Sequence, residues 1–311
     1  MDIHEQSQST NSLPSKRGWK IWWELIRPHT LTASFVPVLL GTVLALLEGE
    51  INLFLFAAML LASLFIQAAT NLFNEYYDFV RGLDTKESVG IGGGIVRYGM
   101  TPKLIMNLAL SMYFIALLLG IYICIMSSWW IAVVGLVCMA VGYLYTGGPI
   151  PISSTPFGEL FSGLFMGFLI ILITFFIQTG FVSQTAILTA IPIGVLVGLI
   201  NLGNNLRDHD GDKANGRKTL PIVLGPKNAI IFLGIMYGFS YLWLIYIAAS
   251  TSLTPWVLLA CLSIPKAIQA VNGFIGKTTP ISMMPAMKAA AQTNTFYGLL
   301  LAIGIFMGYV L

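Results

Sequence analysis

The chain has 311 residues, of which 57% are hydrophobic and only 9% charged, and its mean hydropathy is +0.83. That composition excludes an ordinary soluble globular domain, and a net charge of only +3 implies no nucleic-acid partner. Cys124, Cys138 and Cys261 all fall inside apolar runs without metal-ligand spacing, so they read as packing residues.

Residues 1–15, MDIHEQSQSTNSLPS, are polar and expected to be disordered. No short apolar stretch ending in small residues follows them, so no cleavable signal peptide is expected. KRGWKIWWELIRP then alternates basic residues with Trp19, Trp22 and Trp23, which suits a helix lying in the lipid headgroup layer; contact with a lipid substrate is the other reading. Nine apolar runs follow, near 30–47, 52–77, 104–126, 129–146, 158–179, 185–206, 228–249, 253–272 and 287–311. A run of about 20 residues crosses a hydrocarbon core of roughly 30 Å. Pro265 and Lys266 interrupt the eighth. The expected fold class is all-α, a polytopic membrane protein whose single transmembrane domain covers 16–311.

Fifteen of the 16 basic residues fall in the N-terminal segment and the links after spans 2, 4, 6 and 8. By the positive-inside tendency those segments face the cytoplasm, so a multi-pass cell-membrane protein with a cytoplasmic N-terminus is expected.

Two charged stretches stand out against this background. NLFNEYYDFVRGLDTKE (71–87) closes span 2 and NNLRDHDGDKANGRKTL (204–220) closes span 6. Together 74–87 and 204–218 hold 13 of the 29 charged residues, and both read Asn, three residues, Asp: Asn74 with Asp78, Asn204 with Asp208. The two asparagines are 130 residues apart, with four helices per interval, which suggests two four-helix pseudo-repeats plus a ninth helix. Residues four apart share a helix face, so Asn204, Asp208 and Asp212 can line up unless Gly211 ends the helix first. Asp84 comes six residues after Asp78, and Gly82 offers the break that folds it back. Carboxylates facing one another need cations between them. Hard oxygen ligands select Mg²⁺ or Ca²⁺, and Mg²⁺ bridges readily to phosphate oxygens. With Arg81, Arg207, Lys213, Arg217 and Lys218 as further donors, the natural occupant is a diphosphate carried by magnesium. No P-loop sequence is present to supply a nucleotide site.

With NEYYDFVRGLD (74–84), GIGGGIVRYGMTP, YLYTGGPIPI (143–152) and NNLRDHDGDKANGRKTL on the page, the chain resembles the UbiA superfamily of intramembrane prenyltransferases. The six-residue step from Asp78 to Asp84 is similar to the branch acting on 1,4-dihydroxy-2-naphthoate; the hydroxybenzoate enzymes more often space those acids by four. The resemblance covers nearly the whole chain. It implies nine helices around a central cavity capped by cytoplasmic loops. It also implies magnesium-dependent transfer of a polyprenyl group from polyprenyl diphosphate to 1,4-dihydroxy-2-naphthoate, with loss of CO₂. Asn74, Asp78 and Asp84 would form one magnesium site and Asn204, Asp208 and Asp212 the other. Arg81, Arg207 and Lys218, with Lys213 and Arg217 beside them, would hold the diphosphate; Asp78, Asp208, Arg81 and Arg207 would carry catalysis. Arg97 and Tyr98 on the glycine-rich stretch and Tyr145 in YTGGP are candidates for the acceptor. Another aromatic acceptor, or a cation-coupled transporter using broken helices, is the alternative. Smaller features stay open: His29 as a boundary or substrate contact, Glu159 as polar packing or substrate contact, and His209, Asp210 and Glu87 as solvated neighbours of the acids.

Overall fold

The computed structural model describes residues 18–27, 30–84 and 93–311. The expectations for the N-terminal tail, His29 and Glu87 lie outside them. Among the described residues every regular element is helical: α1 (Gly18–Ile26), α2 (Thr32–Leu46), α3 (Leu53–Val80), α4 (Pro102–Met126), α5 (Trp130–Thr146), α6 (Gly158–Thr179), α7 (Gln184–Arg207), α8 (His209–Ala214), α9 (Leu220–Leu224), α10 (Pro226–Ser250), α11 (Pro255–Phe274) and α12 (Pro280–Val310). Seven of these are long and apolar enough to cross a membrane, and α2 and α5 are shorter apolar helices at the first and fourth predicted spans. The protein is thus a multi-pass membrane protein.

The starts of these helices are written locally. Asn52, Thr101 and Ser183 each cap a helix by accepting backbone N–H bonds from its first turn. Pro102, Pro226 and Pro280 sit at the first helical position, where no N–H is needed. Outer faces carry residues such as Leu110, Phe114 and Ile125 of α4 and Leu242 and Ile245 of α10, all exposed, as a lipid-facing surface requires.

Two helices depart from regular α geometry. α6 contains a π-helical segment over Gly163–Phe168. There α6 and α7 touch backbone to backbone: a Cβ on Gly163 would lie 2.4 Å from the Gly194 carbonyl oxygen, and one on Gly167 would lie 2.6 Å from the Gly194 Cα. Small residues four apart on facing helices permit this approach. α11 begins as a 3₁₀ helix over Pro255–Ser263 and becomes α-helical from Ile264. Pro265 cannot donate to the residue four before it, which favours tighter bonding upstream.

The largest core cluster joins α2, α6, α7, α10, α11 and α12. A second surrounds Phe73 of α3 and includes Leu25 of α1, Ile95, and Ile105 and Ala109 of α4. α1 is therefore docked as well as amphipathic: Leu25 is 2% exposed and packs on Gly94 of the glycine-rich loop. Between the clusters runs a cavity of about 950 Å³.

Candidate active site

Both acidic helix ends are finished by the same device. α3 ends with Gly82 at φ +70°, Gly82 N–H donating to the Phe79 carbonyl and Leu83 N–H to that of Asp78. α8 ends with Gly216 at φ +74°, Gly216 N–H donating to Lys213 and Arg217 N–H to Asp212. Each is a Schellman turn, in which glycine takes the left-handed position that a Cβ disfavours. The turn after α3 brings Asp84 back to the cavity wall. Gly211 does not end its helix: the Asp212 N–H bonds the Asp208 carbonyl at 2.8 Å, so Asp208 and Asp212 stay one turn apart on one face. In terms of caps, Asp78 corresponds to Asp212, one turn later than the Asn-x-x-x-Asp echo implied.

Asn74, Asp78, Asp84, Asn204, Asp208 and Asp212 all line the mouth of the cavity, with Arg97, Arg207, Arg217 and Tyr145. Asn74 donates to Asp78 at 2.8 Å. Arg217 joins the two clusters, one nitrogen 2.9 Å from Asp78 Oδ1 and the other 3.0 Å from Asp212 Oδ1. Arg207 grips both oxygens of Asp208, its Nε at 2.6 Å. His209 bonds Asp210 at 2.8 Å. The Arg81 side chain lies outside the lining: its guanidinium donates to the carbonyls of Thr146 at 2.6 Å and Gly148 at 2.9 Å and rests over the Tyr77 ring. It ties the end of α3 to the end of α5. Lys213, Lys218 and Tyr98 also lie outside the lining, the Tyr98 hydroxyl donating to Glu24 of α1.

Two residues not singled out from the sequence as site residues organise this mouth. Glu75 is 1% exposed and accepts the N–H groups of Gly93 at 2.9 Å and Ile95 at 3.2 Å, fastening the glycine-rich loop over the site. Arg27 donates to Asn74 at 2.8 Å and lies 3.9 Å from Glu75. It holds a left-handed φ of +53°, with Asn71 donating to the neighbouring Ile26 carbonyl at 2.7 Å. The only sequence signal was position: Glu75 follows Asn74 directly, and Arg27 precedes Pro28.

Burial dominates the electrostatics of the site. Burial, with Asp78 and Glu75 beside it, pushes the Asp84 carboxyl up to about 6. Burial also lifts Asp212 to about 6, against the pull of Arg217. Among the described residues no three His, Cys, Asp or Glu side chains converge as a ready metal cage. The reason is visible: arginines stand between the acids as their counter-charge. The donor set still fits magnesium. All six predicted ligands offer oxygen at one cavity mouth, and Asp212 Oδ2 is buried without a partner. Magnesium takes one or two carboxylates and fills its shell with water and phosphate oxygens.

Below the mouth the lining turns apolar, through Ala116, Ile121, Leu136, Phe165, Ile170 and Ile173. Asp78 and Met59, both lining residues, are 19 positions apart on α3, about 28 Å of helix at 1.5 Å per residue. The cavity therefore joins a charged head to a long hydrophobic shaft.

The chain is similar to several known proteins. It is 58% identical to the 1,4-dihydroxy-2-naphthoate octaprenyltransferase of Bacillus subtilis (strain 168), over 93% of each chain. It is 26% identical to the enzyme of the same name from Escherichia coli (strain K12), over 92% of this chain and 95% of that one. A UbiA homolog from Archaeoglobus fulgidus bound to DMAPP and Mg²⁺ has the same fold, at a TM-score of 0.62 and 15% identity over 91% of this chain and 99% of that one. The apo UbiA homolog from Aeropyrum pernix K1 superposes with a TM-score of 0.65, at 15% identity over 90% and 98% of the two chains. The UbiA prenyltransferase family model matches residues 34–278, and the chain belongs to that family.

Proposed function

We propose that the protein transfers a polyprenyl group from polyprenyl diphosphate to 1,4-dihydroxy-2-naphthoate, releasing diphosphate and CO₂ and forming the quinol of demethylmenaquinone. The observation that carries this reading is the junction itself: two acidic helix ends meet across Arg217 over a shaft lined by apolar side chains. The 58% identity to the Bacillus subtilis enzyme supports the choice of acceptor.

Asn74, Asp78 and Asp84 on one side and Asn204, Asp208 and Asp212 on the other would hold magnesium, which when bound would supply positive charge for the diphosphate oxygens. Arg207 and Arg217 line the same mouth and are placed to donate to the leaving group as its charge develops. The shaft takes the prenyl tail and keeps water from the allylic carbon as positive charge grows there. The electron-rich ring of the acceptor attacks that carbon, and no side chain forms a covalent intermediate. The charged helix ends are assigned to the cytoplasmic face of the cell membrane, following the distribution of Lys and Arg.

The test uses detergent-purified protein with farnesyl diphosphate and 1,4-dihydroxy-2-naphthoate, with Mg²⁺ or EDTA, and 4-hydroxybenzoate in parallel. Mass spectrometry should find the prenylated, decarboxylated quinol, or the quinone it becomes in air, with magnesium and naphthoate. Product from hydroxybenzoate alone would move the enzyme to another acceptor. No product and no diphosphate from either would overturn the reading.

A further inference from the structure

Part of the rim of the cavity mouth is built by the link between α11 and α12, which carries neither acidic motif. Lys277, Thr278, Pro280 and Met283 of this segment line the cavity. Met284, in the second turn of α12, takes the Arg207 guanidinium on its sulfur at 3.9 Å. The link therefore stands beside the pair that Arg207 makes with Asp208. Its path is set by Gly276, which holds φ +68° directly after α11, while the Lys277 N–H donates to the Phe274 carbonyl at 3.2 Å. Lys277 thus follows a left-handed glycine at a helix end, as Arg217 follows Gly216.

Among the described residues, the Lys and Arg side chains lining the cavity are Arg27, Arg97, Arg207, Arg217 and Lys277. The four arginines are engaged. Arg27 bonds Asn74 and lies 3.9 Å from Glu75, Arg207 holds both oxygens of Asp208, and Arg217 spans Asp78 and Asp212. Arg97 stands close enough to Asp84 to favour its charged form. Lys277 is exposed, and among the described residues its ammonium forms no ion pair or hydrogen bond. An arginine that turned to an incoming anion would strand a carboxylate, and stranding a buried charge is expensive. Lys277 would give up only water. Its ammonium is a compact charge on a flexible four-carbon stem, suited to reaching across a rim. A charge-assisted hydrogen bond to a phosphate oxygen is also stronger than one between neutral groups. Of the two phosphates on a prenyl diphosphate, the outer one is nearer such a rim. The inner one is bonded to the allylic carbon, whose chain runs into the apolar shaft.

We propose that Lys277 is a further binding residue for the substrate, taking the outer phosphate of the prenyl diphosphate as it enters the mouth. This rests on a prenyl diphosphate being the substrate. Lys277 makes the first contact without breaking any pair already in the site, and Arg207 and Arg217 follow as their carboxylates are neutralised. The outer phosphate is the same distance from the reacting bond before and during transfer. The contact therefore holds substrate and transition state alike, and it adds to affinity without adding to the rate of the chemical step.

The experiment compares wild-type protein with Lys277→Gln, Lys277→Arg and Lys103→Gln. Lys103→Gln removes the same charge from the start of α4, outside the cavity lining. Turnover of farnesyl diphosphate with 1,4-dihydroxy-2-naphthoate gives kcat and both KM values, and calorimetry gives the affinity for inorganic diphosphate, all in Mg²⁺. Loss of one hydrogen bond to a charged group should raise the KM for farnesyl diphosphate about tenfold in Lys277→Gln and weaken inorganic diphosphate by the same factor. The kcat and the KM for naphthoate should not change, which is the pattern of lost uniform binding. Lys277→Arg, which keeps the charge, should recover most of the affinity, and Lys103→Gln should match the wild type. An unchanged KM for farnesyl diphosphate in Lys277→Gln overturns the assignment. So does an equal rise in Lys103→Gln, which would mark a general effect of surface charge. A raised KM with undiminished affinity for inorganic diphosphate overturns it as well, because the contact would then lie elsewhere on the substrate. Wild-type protein that neither binds inorganic diphosphate nor turns over farnesyl diphosphate overturns the underlying reading and the role of Lys277 with it.

Discussion

Arg217→Ala removes the one side chain that, among the described residues, bonds to both acidic clusters. The arginine makes ion pairs of 2.9 Å with Asp78 and 3.0 Å with Asp212, and its own side chain is 15% exposed. Removing one member of a buried ion pair costs about 3–5 kcal/mol, chiefly because the partner charge is stranded. Here two carboxylates are stranded, with Asp84 and Asp208 lining the same cavity mouth. Protonation limits the damage: Asp212 already titrates at about 6 with Arg217 in place and would hold its proton more tightly without it. The deficit should therefore be full above pH 7 and shrink towards pH 5, as the acids neutralise. At about 2 °C per kcal/mol for a long chain, the loss corresponds to a melting temperature roughly 6–10 °C lower at pH 7.5 in EDTA. Magnesium should restore more of it in the variant than it adds to the wild type, because no guanidinium has to be displaced from Asp78 and Asp212. The assay is thermal unfolding of detergent-purified protein, with and without Mg²⁺, at pH 5.5 and 7.5. Equal melting temperatures in EDTA, or a deficit untouched by Mg²⁺, would refute the view that the arginine stands in for a cation.

Asp78→Ala and Asp208→Ala should each lower turnover by about 10³-fold or more, the scale set by loss of a main electrostatic contact to a developing charge. Membrane insertion and the gel-filtration profile should not change, and normal turnover in either would remove the metal assignment. Asp84 and Asp212 both titrate near 6 in the folded protein, above their ordinary value of 3.8. The metal-free protein therefore binds more protons than the unfolded chain between about pH 4 and 6, and its stability falls as pH rises through that window. Magnesium binding expels those protons, so its affinity should drop steeply below pH 6; isothermal titration in two buffers of different ionisation enthalpy checks the proton release. Glu75→Gln weakens the charged acceptor for two backbone N–H groups, worth about 1.5–3 kcal/mol each. Hydrogen exchange at Gly93 and Ile95 should accelerate at least tenfold, and unchanged protection there would mean that the loop is held by other contacts.

The spans were legible because a bilayer demands length and apolarity in one continuous stretch, and nine windows met the demand. What failed to show was irregularity imposed from outside the helix. The π-helical segment of α6 comes with the close approach of Gly163 and Gly167 to Gly194, a contact between residues about 30 positions apart. The acids were legible for a complementary reason: in a chain with so few charges, two dense clusters at helix ends stand out. Their partners were not. Glu75 follows Asn74 on the same helix but points about 100° away from the Asn74–Asp78 face, and its role appears only when Gly93 and Ile95 fold back on it. Arg81 and Arg217 looked alike in the sequence, both basic and both close behind an acidic helix end. The caps separate them. Arg81 is the last residue before Gly82, and its side chain is aimed at the carbonyls ending α5; Arg217 is the first residue after Gly216, and the turn sends its side chain across to Asp78, 139 positions away. Standing one residue before or one residue after a glycine thus decides which arginine braces the scaffold and which meets the carboxylates. Inserting a residue between Asn215 and Gly216 should consequently impair the site even though no charge is lost, with an effect resembling that of Arg217→Ala.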